Sequence, residues 1–474
     1  MKKILALGFW LVLFLQVAFA QKVTLSGTVT DANSGEQIMG AYVILVDTAN
    51  PSNPQGCVSN KAGFYSISVF PGSYQFKVSF MGFQEMTENL VLTKNQTKNI
   101  ALTPSAILTD EVVVTGQKED HNVTSAAVGK IDLKIQTIKK MPAFLGETDV
   151  IKSVQLLPGF SSGGEGNSGF YVRGGGADQN LVLLDEATIY NASHLFGFFS
   201  VFNADAVRNV EVYKSGMPAY YGGRLSSVID VSQKEGNMKK FELDGSVGLL
   251  FSKLTVQGPI KKDVCSFIIS ARRTYIDLLI QPFLPKDHEM KGTKFYFYDL
   301  NAKFNVVVNE KHRLYFGGYY GNDCYGFKSK SGSTNTNFVW ANAMASARWN
   351  YIIAPNLFLN TSFTFSHYDF KTEMGMSVYS LALKSGLEDY SLKSELTYMP
   401  SPKHNARFGV HYIFHVMRPN EYDANVGENA SLTLPKTAPY YAHELGIYAW
   451  DEWDVTKWLK INAGLRFSHF EHVG

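Results

Sequence analysis

The sequence predicts a mainly β chain in three parts: an N-terminal β-sandwich, an α+β middle domain, and the first part, about ten strands, of a transmembrane antiparallel β-barrel. Three observations predict it. Charged residues make up 18% and aromatics 14% of the 474 residues, with 40 Gly. That mix is low in charge and high in aromatics for a water-soluble globule. Short alternating segments between turn clusters fill the first hundred or so residues. From Phe241 onward the alternating segments lengthen to about ten residues, apolar on one face and polar on the other. A net charge of +2 offers no strong field for nucleic acid.

The N-terminus carries a targeting pattern. Lys2 and Lys3 precede an apolar run over 4–15, and Ala18-Phe19-Ala20 supplies small residues for cleavage. This predicts a signal peptide over 1–20, with Gln21 the first mature residue. The run is short for a membrane-crossing helix. No Cys follows the cleavage point to carry a lipid. Cys57, Cys265 and Cys324 are too far apart for a disulfide framework or a zinc site. His288-Glu289 lacks the second His of a zinc-protease motif. No metal or cofactor is expected, and no catalytic constellation stands out.

Residues 22–104 read as a small sandwich. Alternation over 23–29, 63–69 and 74–80, an apolar segment over 41–46, and turns at 31–35 and at Pro71-Gly72 predict short strands with regular spacing. The set Gly27-x-Val29-x-Asp31, Gly40-Ala41-x-Val43, Gly63-Phe64-Tyr65, Pro71-Gly72-x-Tyr74 and Gly82-Phe83 resembles the carboxypeptidase regulatory-like domain. Peptidase chemistry needs a metal site, and no ligand set is visible, so this part reads as an accessory module.

Residues 105–118 hold the run Asp110-Glu111-Val112-Val113-Val114-Thr115-Gly116. Two acids lead into three stiff β-branched residues and then a breaker. Alone, such a run is more often a buried strand. It is also a strand with no hairpin partner, able to add to another sheet. The domain over 119–236 follows. Residues 148–155 predict a helix that stops at Leu157-Pro158-Gly159. Gly164, Gly166 and Gly169 have dinucleotide-loop spacing, but a strand rather than a helix comes next, which excludes that reading. Then come Val172-Arg173-Gly174-Gly175-Gly176, a strand with Asp185-Glu186 at its end, short helical pieces between Val201 and Ala206, the strand 209–214, and Ala219-Tyr220-Tyr221-Gly222-Gly223-Arg224 leading into 225–231. This ordered set resembles the plug domain of TonB-dependent outer-membrane transporters.

The resemblance implies roles. Residues 110–116 match the TonB box that precedes the plug, so Asp110, Glu111, Val112, Val113, Val114, Thr115 and Gly116 are expected to bind TonB, itself driven by ExbB and ExbD. Arg173 matches the plug arginine that pairs with lumenal barrel glutamates, and Glu395 and Glu452 are the expected partners. Tyr190, Asn191, His194 and Phe196, with the loop 161–167, are expected at the substrate face. Asp185-Glu186 suits acid–base chemistry or a cation on composition alone; the resemblance implies a structural turn.

Residues 237–474 predict the barrel. Leu357, Leu359, Phe363 and Phe365 share one face against Asn360, Ser362, Thr364 and Ser366. Residues 406–416 and 461–470 repeat the alternation. Short connections (261–263, 309–312, 354–356, 400–404, 454–457) alternate with long ones (282–293, 322–337, 371–387, 418–443), as in outer-membrane barrels. Plugged transporter barrels have about 22 strands, so the second half of the barrel is expected beyond this sequence.

The leading expectation is active import across the outer membrane, with membrane lipid around the barrel and the N-terminal domain and TonB box in the periplasm. The solute stays open among iron chelates, vitamins, glycans and peptides. The arrangement resembles Bacteroidetes transporters, but 117–140 does not match those that work with a surface lipoprotein, so that partner is not assumed. Two other classes compete: a secreted binding or adhesion module built on the sandwich, which leaves 105–474 unexplained, and a secreted metallopeptidase, which lacks ligands.

Overall fold

Alternating residues between 23 and 102 build two facing sheets. In the first, Val23–Asp31 pairs with Phe64–Val69 on one edge and with Gln96–Thr97 and Ile100–Leu102 on the other. The second runs Gln55–Val58, Tyr42–Asp47, Gly72–Ser79, Met86–Leu92. Leu25, Val43, Leu45, Tyr65, Ile67, Phe76 and Val78 interleave between them, fully buried. Period-two alternation sends these side chains to one face of each strand. The computed structural model describes residues 22–105, 129–141, 146–163, 169–285, 288, 291–328, 334–376, 379–426, 430–432, 437–456 and 458–473. The signal peptide and the 110–116 run lie outside the described residues, as does most of the 161–167 loop.

The middle domain is a five-stranded mixed sheet, in the order Ala187–Thr188, Asn180–Leu184, Ser227–Gln233, Val207–Tyr213, Lys130–Lys134. Asn180–Leu184 runs parallel to Ser227–Gln233, and the other pairs are antiparallel. Val210, Val212, Ile229 and Val231 belong to one core with two short helices, Ile135–Lys139 and Val150–Gln155. Asp149 caps the second helix, accepting from the Lys152 backbone N–H at 2.8 Å. The alternate residues of the same strands, Glu211 and Asp230, are also buried. The strand Lys130–Lys134 lies in a segment the sequence reading left unassigned. The helical turn expected between Val201 and Ala206 falls instead at Leu195–Gly197. There the chain reverses between the paired segments Ser193–His194 and Phe199–Ser200.

The third part is an antiparallel meander. Eleven described strands pair in sequence order from Glu242–Val247 to Lys460–Val473, and Ala430–Leu432 pairs alongside. Polar residues turn inward: Asn301, Lys303, Asn305, Asn342, Ser362, Thr364 and Ser366 are buried against the plug side. Phe304, Phe316, Phe363, Leu392, Phe408, Val410 and Phe467 are exposed on the outer face. Apolar-out and polar-in is the pattern of a sheet solvated by lipid.

The short connections gather at one end. The long ones are largely strand. Tyr379–Ser401 and His404–Val426 have 23 residues each, about twice the 9–11 a tilted crossing needs. Pairing continues from Asn322↔Ala341 out to Lys328↔Asn335, and from Lys371↔Lys384 out to Met376↔Tyr379. The loops expected at 322–337 and 371–387 are therefore hairpin arms. Strand-to-strand pairing keeps the backbone ladder satisfied out to the tips.

The sandwich core sets one expected outcome. Phe76→Ala removes a fully buried ring and destabilises the sandwich by about 3–5 kcal/mol. The check is hydrogen exchange of Tyr42–Asp47, which rises, while exchange of Val207–Tyr213 in the plug rises far less.

Candidate functional site

The seam between the middle domain and the strand wall is a chain of buried charges. Arg272 stands on the inward face of Cys265–Thr274. Its Nη1 meets Glu147 Oε1 at 2.6 Å, and its Nη2 and Nε meet Asp299 Oδ2 at 2.6 and 2.8 Å. The same guanidinium donates to the Ser200 carbonyl at 2.8 Å. Arg272 and both carboxylates are almost wholly buried. The chain continues through His194, whose Nδ1 lies 2.6 Å from Asp323 and whose Nε2 lies 3.3 Å from Asp299. Its ring stacks on Phe297 at 4.1 Å. Burial pushes the His194 pKa down, but Asp323 and Asp299 outweigh it and the net direction is up. Glu147 and His194 belong to the middle domain; Arg272, Asp299 and Asp323 belong to the wall.

A second tie sits at the turn after Asn180–Leu184. Asp185 and Glu186 both take positive φ, 47° and 73°, which closes the tight hairpin to Ala187–Thr188. Lys303 of the wall meets Asp185 at 2.7 Å. Glu186 accepts from Asn360 at 3.0 Å and from the Ser362 hydroxyl. Burial pushes the Glu186 carboxyl up, yet Lys393 and Arg348 bring it down to about 2. This carboxylate pair is a structural turn that is also charge-bonded to the wall. A third contact is aromatic. Tyr220 and Tyr221 pack with Tyr213, Tyr448 and Trp450, and Arg407 lies over Tyr220 at 4.7 Å. Arg466 fits against Gly222, where a Cβ would come within 2.4 Å of its Nε.

The expected lock is corrected. Arg173 is exposed, at φ 50°, in the turn after Phe170–Val172. Among the described residues it makes no ion pair with Glu395 or Glu452. Glu395 accepts from the Tyr448 hydroxyl at 2.7 Å and faces Arg407 at 3.7 Å. Glu452 accepts from Asn405 at 3.2 Å. Arg173 keeps its water, so pairing gains it little. Two of the ties have the opposite polarity: wall cations, Arg272 and Lys303, hold the middle-domain carboxylates Glu147 and Asp185, while His194 meets the wall carboxylates Asp299 and Asp323. Sequence reading missed them because the partners lie far apart in the chain, 125 residues in the case of Arg272 and Glu147. The available signal was a charged residue on the inward face of a strand, between Ser270 and Thr274.

The four residues expected at the substrate face divide. His194 is buried and paired with Asp299 and Asp323. Tyr190 donates to Asp389 of the wall. Asn191 accepts from the Ser193 backbone N–H at 3.2 Å, and Asn342 donates to its carbonyl at 2.9 Å. Phe196 is exposed, at the end with the long hairpin arms, edge-on to Trp340 at 4.9 Å and beside Tyr325 and Phe338. Leu195 and Phe196 both take left-handed φ, 47° and 57°. Bulky residues rarely do so, and strain of this kind collects at binding sites. Asp323 holds the bend by accepting from the Leu195 N–H at 2.8 Å.

Residues 25–114 match the CarboxypepD_reg-like domain, and residues 133–228 match the TonB-dependent receptor plug domain. The chain thus carries a TonB-dependent receptor plug domain behind a CarboxypepD_reg-like domain. It is 25% identical over 258 residues to the TonB-dependent transporter Oar of Myxococcus xanthus, covering 53% of this chain and 24% of Oar. It is 24% identical over 241 residues to the TonB-dependent receptor P39 of Formosa agariphila, covering 48% of this chain and 22% of P39. Among solved structures, the unliganded ferric citrate transporter FecA superposes with TM-score 0.55 at 14% identity, covering 75% of this chain and 58% of FecA. The outer membrane transporter YddB of Escherichia coli gives TM-score 0.53 at 13% identity, covering 73% and 57%. These two show the fold. The receptor chain thus spans about a quarter of the length of the curated relatives it matches. In this receptor the middle domain is the plug and the wall is the barrel sheet.

Two outcomes follow for the receptor's plug seam. Arg272→Met strands Glu147 without a cation, leaves Asp299 with His194 alone, and weakens plug retention by about 3–5 kcal/mol. Arg173→Met changes it by less than about 0.5 kcal/mol. Hydrogen exchange of plug strands in the detergent-purified protein reads both. The His194 tie is pH-dependent. Its pKa is raised on folding, so its stabilisation is complete below the ordinary value of 6.5 and fades as pH rises through the raised value. Protection of 193–200 falls between neutral and alkaline pH in the wild type, and His194→Gln removes that dependence.

Proposed function

We propose that this receptor imports a solute across the outer membrane, driven by TonB. The observation that carries the reading is the seam itself: a folded plug lies against a lipid-facing sheet and is tied to it by a few discrete buried ion pairs. Such a plug blocks passage at rest, and moving it takes directed force. In this reading the short-turn end and the N-terminal sandwich face the periplasm.

TonB reaches the chain through residues 110–116. Val112, Val113 and Val114 add as a strand to TonB's sheet, flanked by Asp110, Glu111, Thr115 and Gly116. Backbone hydrogen bonds along an added strand resist pulling along its axis, which suits a mechanical link. ExbB and ExbD supply the force. At the opposite end, Phe196 with Tyr325, Phe338 and Trp340 offers an aromatic surface to the incoming solute. Aromatic faces favour ring-bearing ligands, such as a glycan or an aromatic chelate, by stacking. Tyr190 and Asn191 hold the loop behind Phe196 in place. The ties through Arg272, Lys303 and His194 do the locking first expected of Arg173.

The box is tested by Val113→Pro, which removes one backbone N–H from the added strand. Energised uptake by cells falls to the level of a strain without TonB, while binding of solute to the cell surface is unchanged. Uptake that persists at the wild-type rate contradicts the role of 110–116.

A further inference from the structure

The sandwich is docked on the short-turn end of the receptor, touching both plug and barrel. Phe64 stacks on Phe358 at 5.3 Å, with Ala62 and Met399 around them. Tyr315 of the barrel donates to the Gln37 side chain. The Glu235 N–H donates to Glu36 at 2.9 Å, and Arg208 donates to the Gln37 carbonyl at 3.3 Å. Lys134 of the plug's edge strand lies over Phe80 at 3.8 Å.

One contact differs in kind. Lys61 projects from the sandwich and meets Glu211 at 2.8 Å and Asp230 more closely still. Those carboxylates stand on Val207–Tyr213 and Ser227–Gln233, the inner strands of the plug sheet, with side chains 6% and 4% exposed. Glu211 has a second cation, Lys130, at 2.7 Å. Asp230 otherwise accepts only from the neutral Tyr221 hydroxyl, at 2.7 Å. Among the described residues, Lys61 is the one cation that Asp230 contacts.

The loop is built to present that lysine. The Asn60 side chain accepts from the backbone N–H groups of Ala62 and Phe64, at 2.9 and 3.0 Å. Gly63 turns the chain at φ +66°, where a Cβ would fall 2.6 Å from the Val29 carbonyl. Lys61 is thus held on a rigid turn against the plug. Burial pushes the Glu211 carboxyl up, but Lys130 and Lys61 outweigh it and keep it well below the usual range. Beside Lys61 lies a seam cavity of about 110 Å³, lined by Glu186, Tyr221, Arg348 and Lys393 among others.

We propose that the N-terminal sandwich is a detachable part of the plug, supplying through Lys61 the counter-charge that keeps the plug sheet closed. Docked, the domain neutralises Asp230 and shares Glu211 with Lys130. Undocked, it leaves Asp230 buried without a cation, and the inner strands loosen toward the seam cavity. An uncompensated buried carboxylate draws water or neutralises. The domain is therefore a gate on the short-turn side. The counter-charge role rests on the geometry alone, and only the agent that pulls the domain away rests on the transport reading.

The test is hydrogen exchange of the full-length receptor in lipid nanodiscs, for wild type, Lys61→Met, Lys61→Met with Asp230→Asn, and Phe64→Ala. Asn at 230 keeps an acceptor for Tyr221 but carries no charge. Lys61→Met is expected to speed exchange of Val207–Tyr213 and Ser227–Gln233 at least tenfold. Adding Asp230→Asn is expected to return Ser227–Gln233 to within about twofold of wild type. Phe64→Ala, which weakens docking without touching a charge, is expected to speed both strands as well. Exchange of Val23–Asp31 in the sandwich core is the folding control. Unchanged exchange in Lys61→Met overturns the proposal. So does fast exchange that Asp230→Asn fails to slow, because the missing charge is then not the cause. Solute uptake by wild-type cells is a separate readout, so a failure of the transport reading leaves the exchange result interpretable.

Discussion

A carboxylate taken out of water needs a cation close by, and this plug does not supply enough of its own. Glu147, Asp185 and Asp230 are buried. Their cations come from elsewhere: Arg272 and Lys303 from the barrel sheet, Lys61 from the sandwich. The desolvation cost of each carboxylate is offset only while the three parts stay assembled. The plug is therefore a domain whose stability is conditional on its neighbours. That is a poor design for an independent fold, and it suits the displaceable plug of the proposed import.

The barrel sheet makes this possible. Its outward face is apolar, and its inward face carries Asn, Ser, Thr and a few charges beside separate apolar patches at Tyr319 and Met344, Phe297, and Tyr448, so among the described residues the plug meets a mixed wall. A hydrophobic seal binds over its whole area and slides with little loss at each step. Ion pairs with short reach, such as Arg272 with Glu147, hold at fixed points and are lost over a small displacement. The two ends differ as well. The strained turn at Leu195 and Phe196 presents an aromatic surface among the long hairpin arms, and Asp323 links that turn to the charge chain through His194. A change at the Leu195–Phe196 turn thus has a physical route to Arg272 and Glu147, through side chains in contact.

Much of the fold was legible in the sequence, because strand periodicity survives in each segment separately. The alternation at 357–366 placed Phe363 outward and Ser362, Thr364 and Ser366 inward, as found. The ordered plug motifs located the sheet core, and the helix expected over 148–155 is found at Val150–Gln155. Pairing across long sequence separation was not legible. Arg173 matched a motif but stayed in water, whereas Arg272, in an ordinary-looking strand, became the tie. His194 looked like a loop residue awaiting a ligand, and only its neighbours Asp299 and Asp323 show otherwise. The hairpin arms at 322–337 and 371–387 were read as loops because polar, alternating, water-facing strands carry little apolar signal. Lys130–Lys134 was missed for a related reason: a short edge strand takes its conformation from the strand beside it.

Barrel-sheet cations hold the plug through its buried carboxylates. A double-mutant cycle on Glu147 and Arg272 tests it most directly, using Glu147→Gln, Arg272→Met and the pair, with plug-strand hydrogen exchange as the free-energy readout. The expected coupling is at least about 2 kcal/mol, with the double variant retaining its plug better than Arg272→Met alone. Additive effects, with the double variant as loose as the sum of the single ones, would contradict it.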